Sequence, residues 1–168
     1  MNQIIRYGLA WLGYVIAQIL LFDYMVAFQV AIPFVFLVFF LTLPFDTGKG
    51  MLYILAFATG LVIDLLSSQG TVGLHSLSLL VLVGMREPVV NLISTTNVRS
   101  IKEISLQGQN GIWIATYFLP LILGYQLTYF LFEALTFSHF GITLLKVVGS
   151  TFYTFILAIL ITYVFYKR

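Results

Sequence analysis

Phe34-Val35-Phe36-Leu37-Val38-Phe39-Phe40-Leu41 sets eight apolar residues in a row with no polar residue between them. A strand of a membrane barrel alternates apolar and polar residues with a period of two, because one face meets lipid and the other the lumen. This run does not alternate. In hydrocarbon an open strand also leaves its backbone groups unpaired, whereas a helix pairs them within the segment. The run therefore predicts a helix. Outward from it, residues 24–45 carry no charge, and the segment closes on the turn-rich stretch Pro44-Phe45-Asp46-Thr47-Gly48-Lys49-Gly50. About 20 apolar residues cross a bilayer core, and this segment has that length.

The rest of the chain has the same character. Of its 168 residues 61% are hydrophobic and only 8% charged, with a mean hydropathy of +1.05. A soluble domain carries roughly 25% charged residues because its surface faces water. Eight Lys/Arg and six Asp/Glu cannot cover such a surface, so the expected solvent is lipid. The length predicts one domain, 1–168. A net charge of +2 with no basic patch points away from nucleic acid. The absence of cysteine excludes disulfides and thiolate metal sites. Arg6 followed by an apolar run resembles a signal peptide, but no small-x-small cleavage site follows, so a retained first helix is expected.

Charged residues punctuate the apolar text and divide it into spans near 7–22, 26–44, 51–67, 73–87, 112–135 and 144–166. The expected fold is an all-α polytopic membrane bundle of six transmembrane helices. Orientation follows from the placement of Lys and Arg, which favour cytoplasmic loops. With both termini cytoplasmic, the inner segments hold Arg6, Lys49, Arg86, Arg99, Lys102, Lys167 and Arg168, and Lys146 is the one ambiguous cation. The third span is short for a bilayer. The fourth is expected to end at Arg86-Glu87-Pro88: Arg86 snorkels to the headgroups, Pro88 disfavours helix at Glu87, and an interfacial piece runs on through Val98.

Intramembrane polar residues are where function is sought first. Gln18, Asp23, Gln29, Asp64, His75, Gln126 and Glu133 fall in the outer half of this arrangement. Gln126, Tyr129 and Glu133 share one helix face and, with Gln18, form a candidate outer cavity; for Asp23 and Glu133 the expectation is instead an interfacial position wetted by headgroups. Asp64 closes a helix bearing Ala56 and Gly60 at spacing four, a pattern that lets a second helix approach closely. Gly70 and Gly73 permit a tight turn, and His75 opens the next helix. The Asp64 carboxylate suits the exposed amides at that helix start or the His75 ring; a proton-sensing Asp–His pair is the functional alternative. Gly13 and Ala17 repeat the small-residue spacing in the first helix. No HExxH, GxSxG or phosphate-binding loop occurs, and no carboxylate cluster has metal-ligand spacing. The expectation is a non-enzyme without cofactor or metal.

The run Gly60-Leu61-Val62-Ile63-Asp64-Leu65-Leu66, then Gly70, then Gly73-Leu74-His75 resembles the signature region of the rod shape-determining MreD family. The turn Leu43-Pro44-Phe45-Asp46-Thr47-Gly48 fits that family's second-to-third helix loop, and length and six-helix layout agree across the chain. The Arg86-Glu87-Pro88 interruption departs from it. The resemblance implies a non-enzymatic component of the bacterial inner membrane. It implies a scaffold that binds an MreC-like single-span protein and acts with the MreB cytoskeleton and with the RodA glycosyltransferase and its penicillin-binding transpeptidase. It also implies a fold similar to the substrate-binding subunits of energy-coupling-factor transporters. A vitamin-binding subunit of such a transporter is accordingly the alternative expectation, and the candidate outer cavity would be its site.

Overall fold

A computed structural model describes residues 3–27, 29–67, 72–94, 109–134 and 140–166. These residues form six α-helices: α1 Gln3–Leu20, α2 Leu37–Thr42, α3 Lys49–Leu66, α4 Leu74–Ile93, α5 Gly111–Ala134 and α6 Phe140–Tyr166. A short 3-10 turn, Phe22–Tyr24, follows α1. The described residues contain no β-strand, only an isolated bridge between Ala27 and Ala31. Five helices are long and apolar enough to cross a membrane: α1 with the turn after it, α3, α4, α5 and α6. At 1.5 Å per residue α3 is about 27 Å long, close to the thickness of a hydrocarbon core.

Polar contacts fix the helix directions. Trp11 Nε1 donates to Thr59 Oγ1 at 2.7 Å midway along α1 and α3, and Ser67 Oγ donates to Asp23 Oδ2 at 2.5 Å at their far ends. The two helices are therefore parallel. Lys49 pairs with Glu87 at one end of α3 and α4, and Gly60 packs on Ser76 toward the other, so that pair is antiparallel. His75 meets Tyr125 and Arg86 meets Tyr117 between α4 and α5. Gln126 meets Thr154 and Glu133 meets Lys146 between α5 and α6. Residues 25–48 must then run back along the bundle, from the end near Asp23 to the start of α3.

That return corrects the expected helix over 26–44. Only Leu37–Thr42 is α-helical; the backbone before it is irregular, with Gln29 at φ 61°. Pro33 explains much of this. It has no N–H to donate, and it pushes Ile32 out of the helical region. Irregular backbone is tolerated among apolar helices only where protein encloses it and satisfies its polar groups. Both conditions hold. Residues 31–43 are all buried. Ser150 Oγ accepts from Ile32 N–H at 2.9 Å, Thr154 Oγ1 from Phe34 N–H at 3.0 Å, and Gln18 Oε1 from Val35 N–H at 2.7 Å. Gln18 Nε2 donates to the Pro33 carbonyl at 3.1 Å.

The fourth helix also differs from expectation. It does not stop at Arg86-Glu87-Pro88 but continues through Pro88 to Ile93. Arg86 does not snorkel outward: it is buried, and its guanidinium is spent on protein acceptors. Nη2 donates to the Leu43 carbonyl at 2.6 Å, just past α2, and Nε donates to Tyr117 Oη at 2.9 Å. The Phe45 ring lies 4.9 Å beneath the guanidinium carbon. The expected interfacial piece is thus the last turns of α4; residues 95–98 lie outside the described residues.

Much of the bundle's outer surface is apolar. Leu9, Leu12, Ile16 and Leu20 of α1 and Phe152, Ile156, Leu160 and Val164 of α6 are all exposed. Such continuous apolar surface is far more than a water-soluble monomer carries; it is compatible with a multi-pass membrane protein.

Candidate functional site

The sequence motif maps onto the junction between α3 and α4. Gly73, at φ 99°, takes a left-handed conformation that side chains disfavour, and the chain turns there into α4. The first amides of any helix lack intrahelical acceptors. Here Asp64, in the last turn of α3, reaches across to them. Its Oδ2 accepts from Gly73 N–H at 2.9 Å and Ser76 N–H at 3.4 Å, and its Oδ1 from His75 N–H at 3.1 Å. The positive end of the α4 dipole favours the same carboxylate. Asp64 thus engages the His75 backbone, while the His75 ring turns elsewhere.

Close packing supports this cap. A Cβ placed on Gly60 would collide with the Ser76 backbone, so α3 and α4 touch main chain to main chain at that point. Ala56, one turn earlier, is fully buried. The small face of α3 is therefore occupied by α4 of the same chain. Gly13 differs: a Cβ there would meet nothing within 4 Å, and Ala17 beside it is half-buried. Gly70 lies outside the described residues.

His75 sits inside an aromatic cage. Its Nδ1 is hydrogen-bonded to Tyr125 Oη. Tyr129 stacks on it at a centroid distance of 4.6 Å, and Phe34 and Phe36 present ring edges at 5.4 and 5.8 Å. Phe34 and Phe36 belong to the irregular return pass, so the cage joins that pass to α4 and α5. Tyr125 is a partner that the sequence reading misses; its only signal is its position one turn before Tyr129 on the same helix face.

The residues expected to line an outer cavity are packed instead. Gln18 and Gln126 are fully buried and Tyr129 is 1% exposed. Gln18 holds the return pass and donates to Asp23 Oδ1 at 2.9 Å, which places Asp23 inside the protein rather than in a wet interface. Gln126 Nε2 donates to Thr154 Oγ1 at 3.3 Å. Glu133 is only partly exposed and pairs with Lys146 at 3.2 Å, giving that cation a place beside an acid. Among the described residues, no three His, Cys, Asp or Glu side chains come close enough to share a metal ion.

Fold and site define a class: an all-helical bundle with several apolar helices of membrane-crossing length, closed by a carboxylate cap and an aromatic cage. Comparison of the chain with protein-family models, curated proteins and solved structures gave no match in any of the three.

Proposed function

We propose that this chain is a six-pass scaffold of the bacterial inner membrane, with both ends cytoplasmic, that binds an MreC-like single-span protein and organises cell-elongation peptidoglycan synthesis without catalysing a reaction. The observation that supports it is the signature run itself. Gly60, Asp64, Gly73 and His75 are all used at one helix junction, as a contact, a cap, a turn and a caged ring. This is the construction of a rigid frame. The irregular return counts as the second crossing. Arg6, Lys49 and Arg86 then share the cytoplasmic end, and Lys146 at the opposite end is matched by Glu133, in keeping with the positive-inside rule. RodA, its transpeptidase and MreB enter directly or through the MreC-like partner, as the family resemblance implies. The packing of Gln18, Gln126 and Tyr129 disfavours a vitamin site among them.

Because α4 fills the small face of α3, the partner helix docks on α1 at Gly13 and Ala17, where small residues leave room for close approach. Gly13→Leu should reduce co-purification of an MreC-like partner by about tenfold, equivalent to about 1.4 kcal/mol, and leave the thermal midpoint of the isolated chain in place. The chain has no cysteine, so a single Gly13→Cys also gives an unambiguous crosslinking site. Full partner recovery with Gly13→Leu would remove this docking face.

A further inference from the structure

Gln18 and Gln126 are both fully buried, but their amides are used differently. Gln18 engages both ends: Oε1 accepts from Val35 N–H, and Nε2 donates to Asp23 and to the Pro33 carbonyl. Gln126 engages one. Its Nε2 donates to Thr154 Oγ1 at 3.3 Å, and its Oε1 meets no hydrogen-bond partner among the described residues. Exchanging oxygen and nitrogen in that amide only turns an orphan acceptor into an orphan donor. Thr151, one turn from Thr154 on α6, is buried too, and its hydroxyl is likewise unpartnered among the described residues. We propose that the seam between α5 and α6 binds ordered water, which bridges Gln126, Thr151 and Thr154.

Buried polar groups without partners are rare, because leaving water is costly unless a new bond replaces it. Two such groups beside one hydroxyl point to a shared partner. Thr151 does not take the local alternative. Thr42, Thr59 and Thr128 each donate to the carbonyl four residues back, at 2.7, 2.7 and 2.9 Å. Thr151 makes no such bond, so its hydroxyl is left for the seam. Thr154 completes the set. Its Oγ1 already accepts from Phe34 N–H at 3.0 Å and from Gln126 Nε2, so its own proton remains to be donated. One water can accept that proton, donate to Gln126 Oε1 and share a bond with Thr151. Three partners are typical of a buried water. Residues one turn apart hold their Cβ atoms about 5–6 Å apart, a gap that a water spans with two hydrogen bonds of about 2.8 Å each. The nearest carboxylate on this seam, Glu133, is held by Lys146, so the set suits a neutral ligand that donates and accepts rather than a cation. That pair, each side chain about one third exposed, gives water a polar entrance one to two turns away. The bound water fixes the Thr154 hydroxyl on which the return pass depends. Thr162 carries a third unpartnered hydroxyl on α6. In the register set by Gln126 with Thr154, the α5 residue opposite it is Phe118, which offers no polar side-chain atom.

The full chain, isotope-labelled on its glutamine side chains, is placed in phosphatidylcholine nanodiscs, and magnetisation transfer from water to the side-chain amides is measured by NMR. The Gln126 amide should receive transfer rapidly, and the Gln18 amide, whose bonds all go to protein groups, far more slowly. Thermal midpoints read the same site through stability. Thr151→Val keeps the shape and removes the hydroxyl. Loss of a water-bridged bond should lower the midpoint by about 2–4 °C, and Thr151→Ser should keep most of it. Removal of a bare orphan would raise the midpoint instead. Thr162→Val, the comparison on the same helix, should leave the midpoint in place or raise it. A Thr151→Val midpoint at or above that of the wild type overturns the proposal, as does a transfer rate at Gln126 no faster than at Gln18. An equal fall for Thr162→Val would make the loss a packing effect, and a midpoint that depends on sodium at constant ionic strength would assign the site to a cation; either result also overturns it.

Discussion

Residues 31–43 are enclosed by protein on every side, whereas α1 gives most of its surface away: only 11% of its apolar window is buried. Both are apolar segments beside each other in the chain, and they solve the same backbone problem in opposite ways. In α1 each N–H beyond the first turn finds its acceptor one turn back, so the body of the helix needs no neighbour to satisfy it. The return pass has no such ladder around Pro33. It borrows acceptors from Gln18 on α1 and from Ser150 and Thr154 on α6. Regular backbone can face lipid; irregular backbone must be held inside by side chains that arrive from elsewhere. Gln18, Ser150 and Thr154 are accordingly buried polar residues of regular helices that serve the irregular pass as structural groups.

The comparison is broken most severely at Gln18. Its amide accepts from Val35 N–H and donates both to the Pro33 carbonyl and to Asp23. Gln18→Leu keeps the size and leaves two buried backbone groups unpaired. At about 1–3 kcal/mol for each, the loss is about 2–6 kcal/mol, read from reversible unfolding in mixed micelles. A loss under about 1 kcal/mol would mean that the return pass does not depend on borrowed acceptors.

The same contrast separates what was legible in the sequence from what was not. Charges and turn residues bound each long helix, so α1, α3, α5 and α6 lie close to the expected spans 7–22, 51–67, 112–135 and 144–166. The role of Asp64 at a helix start is also accessible, because Gly73 and His75 follow it by only 9 and 11 residues. The return pass is different. Apolar length is the same signal for a spanning helix and for a buried irregular segment, and Pro33 is the only local warning. Its stabilising partners lie 15 to 120 residues away, and nothing in sequence order pairs Phe34 with Thr154. Arg86-Glu87-Pro88 misleads for a related reason: the Leu43 carbonyl and Tyr117 hydroxyl that let Arg86 stay buried belong to other elements. Spacing does place Gln126, Tyr129 and Glu133 on one face, but it cannot tell a face that lines a cavity from one packed against α6 and the return pass.

Ser150 gives a smaller and cleaner test. It is fully buried on α6, and its hydroxyl accepts from Ile32 N–H. Ser150→Ala removes one acceptor and orphans one amide, a loss of about 1–3 kcal/mol. Ser150→Thr keeps the hydroxyl and should recover part of it. The amide of Ile32 should exchange with deuterium faster in Ser150→Ala, while the amides of α1 keep their rates. Uniform acceleration through α1 would show that the two regions unfold together rather than separately.

The smallest effect is expected on the face of α1 that meets no protein. Leu12 is 46% exposed, and lipid is as apolar as the side chain it would replace. A large-to-small change in a packed core costs about 2–5 kcal/mol because it leaves a cavity. At Leu12 lipid chains fill the space, and alanine retains high helix propensity. Leu12→Ala should therefore shift stability by less than about 0.5 kcal/mol. Leu41→Ala, in the fully buried return pass, provides the packed-core comparison under the same micelle conditions. Equal losses at the two positions would mean that α1 is covered by a second polypeptide even in the purified state, making its outward face an interface rather than a lipid boundary.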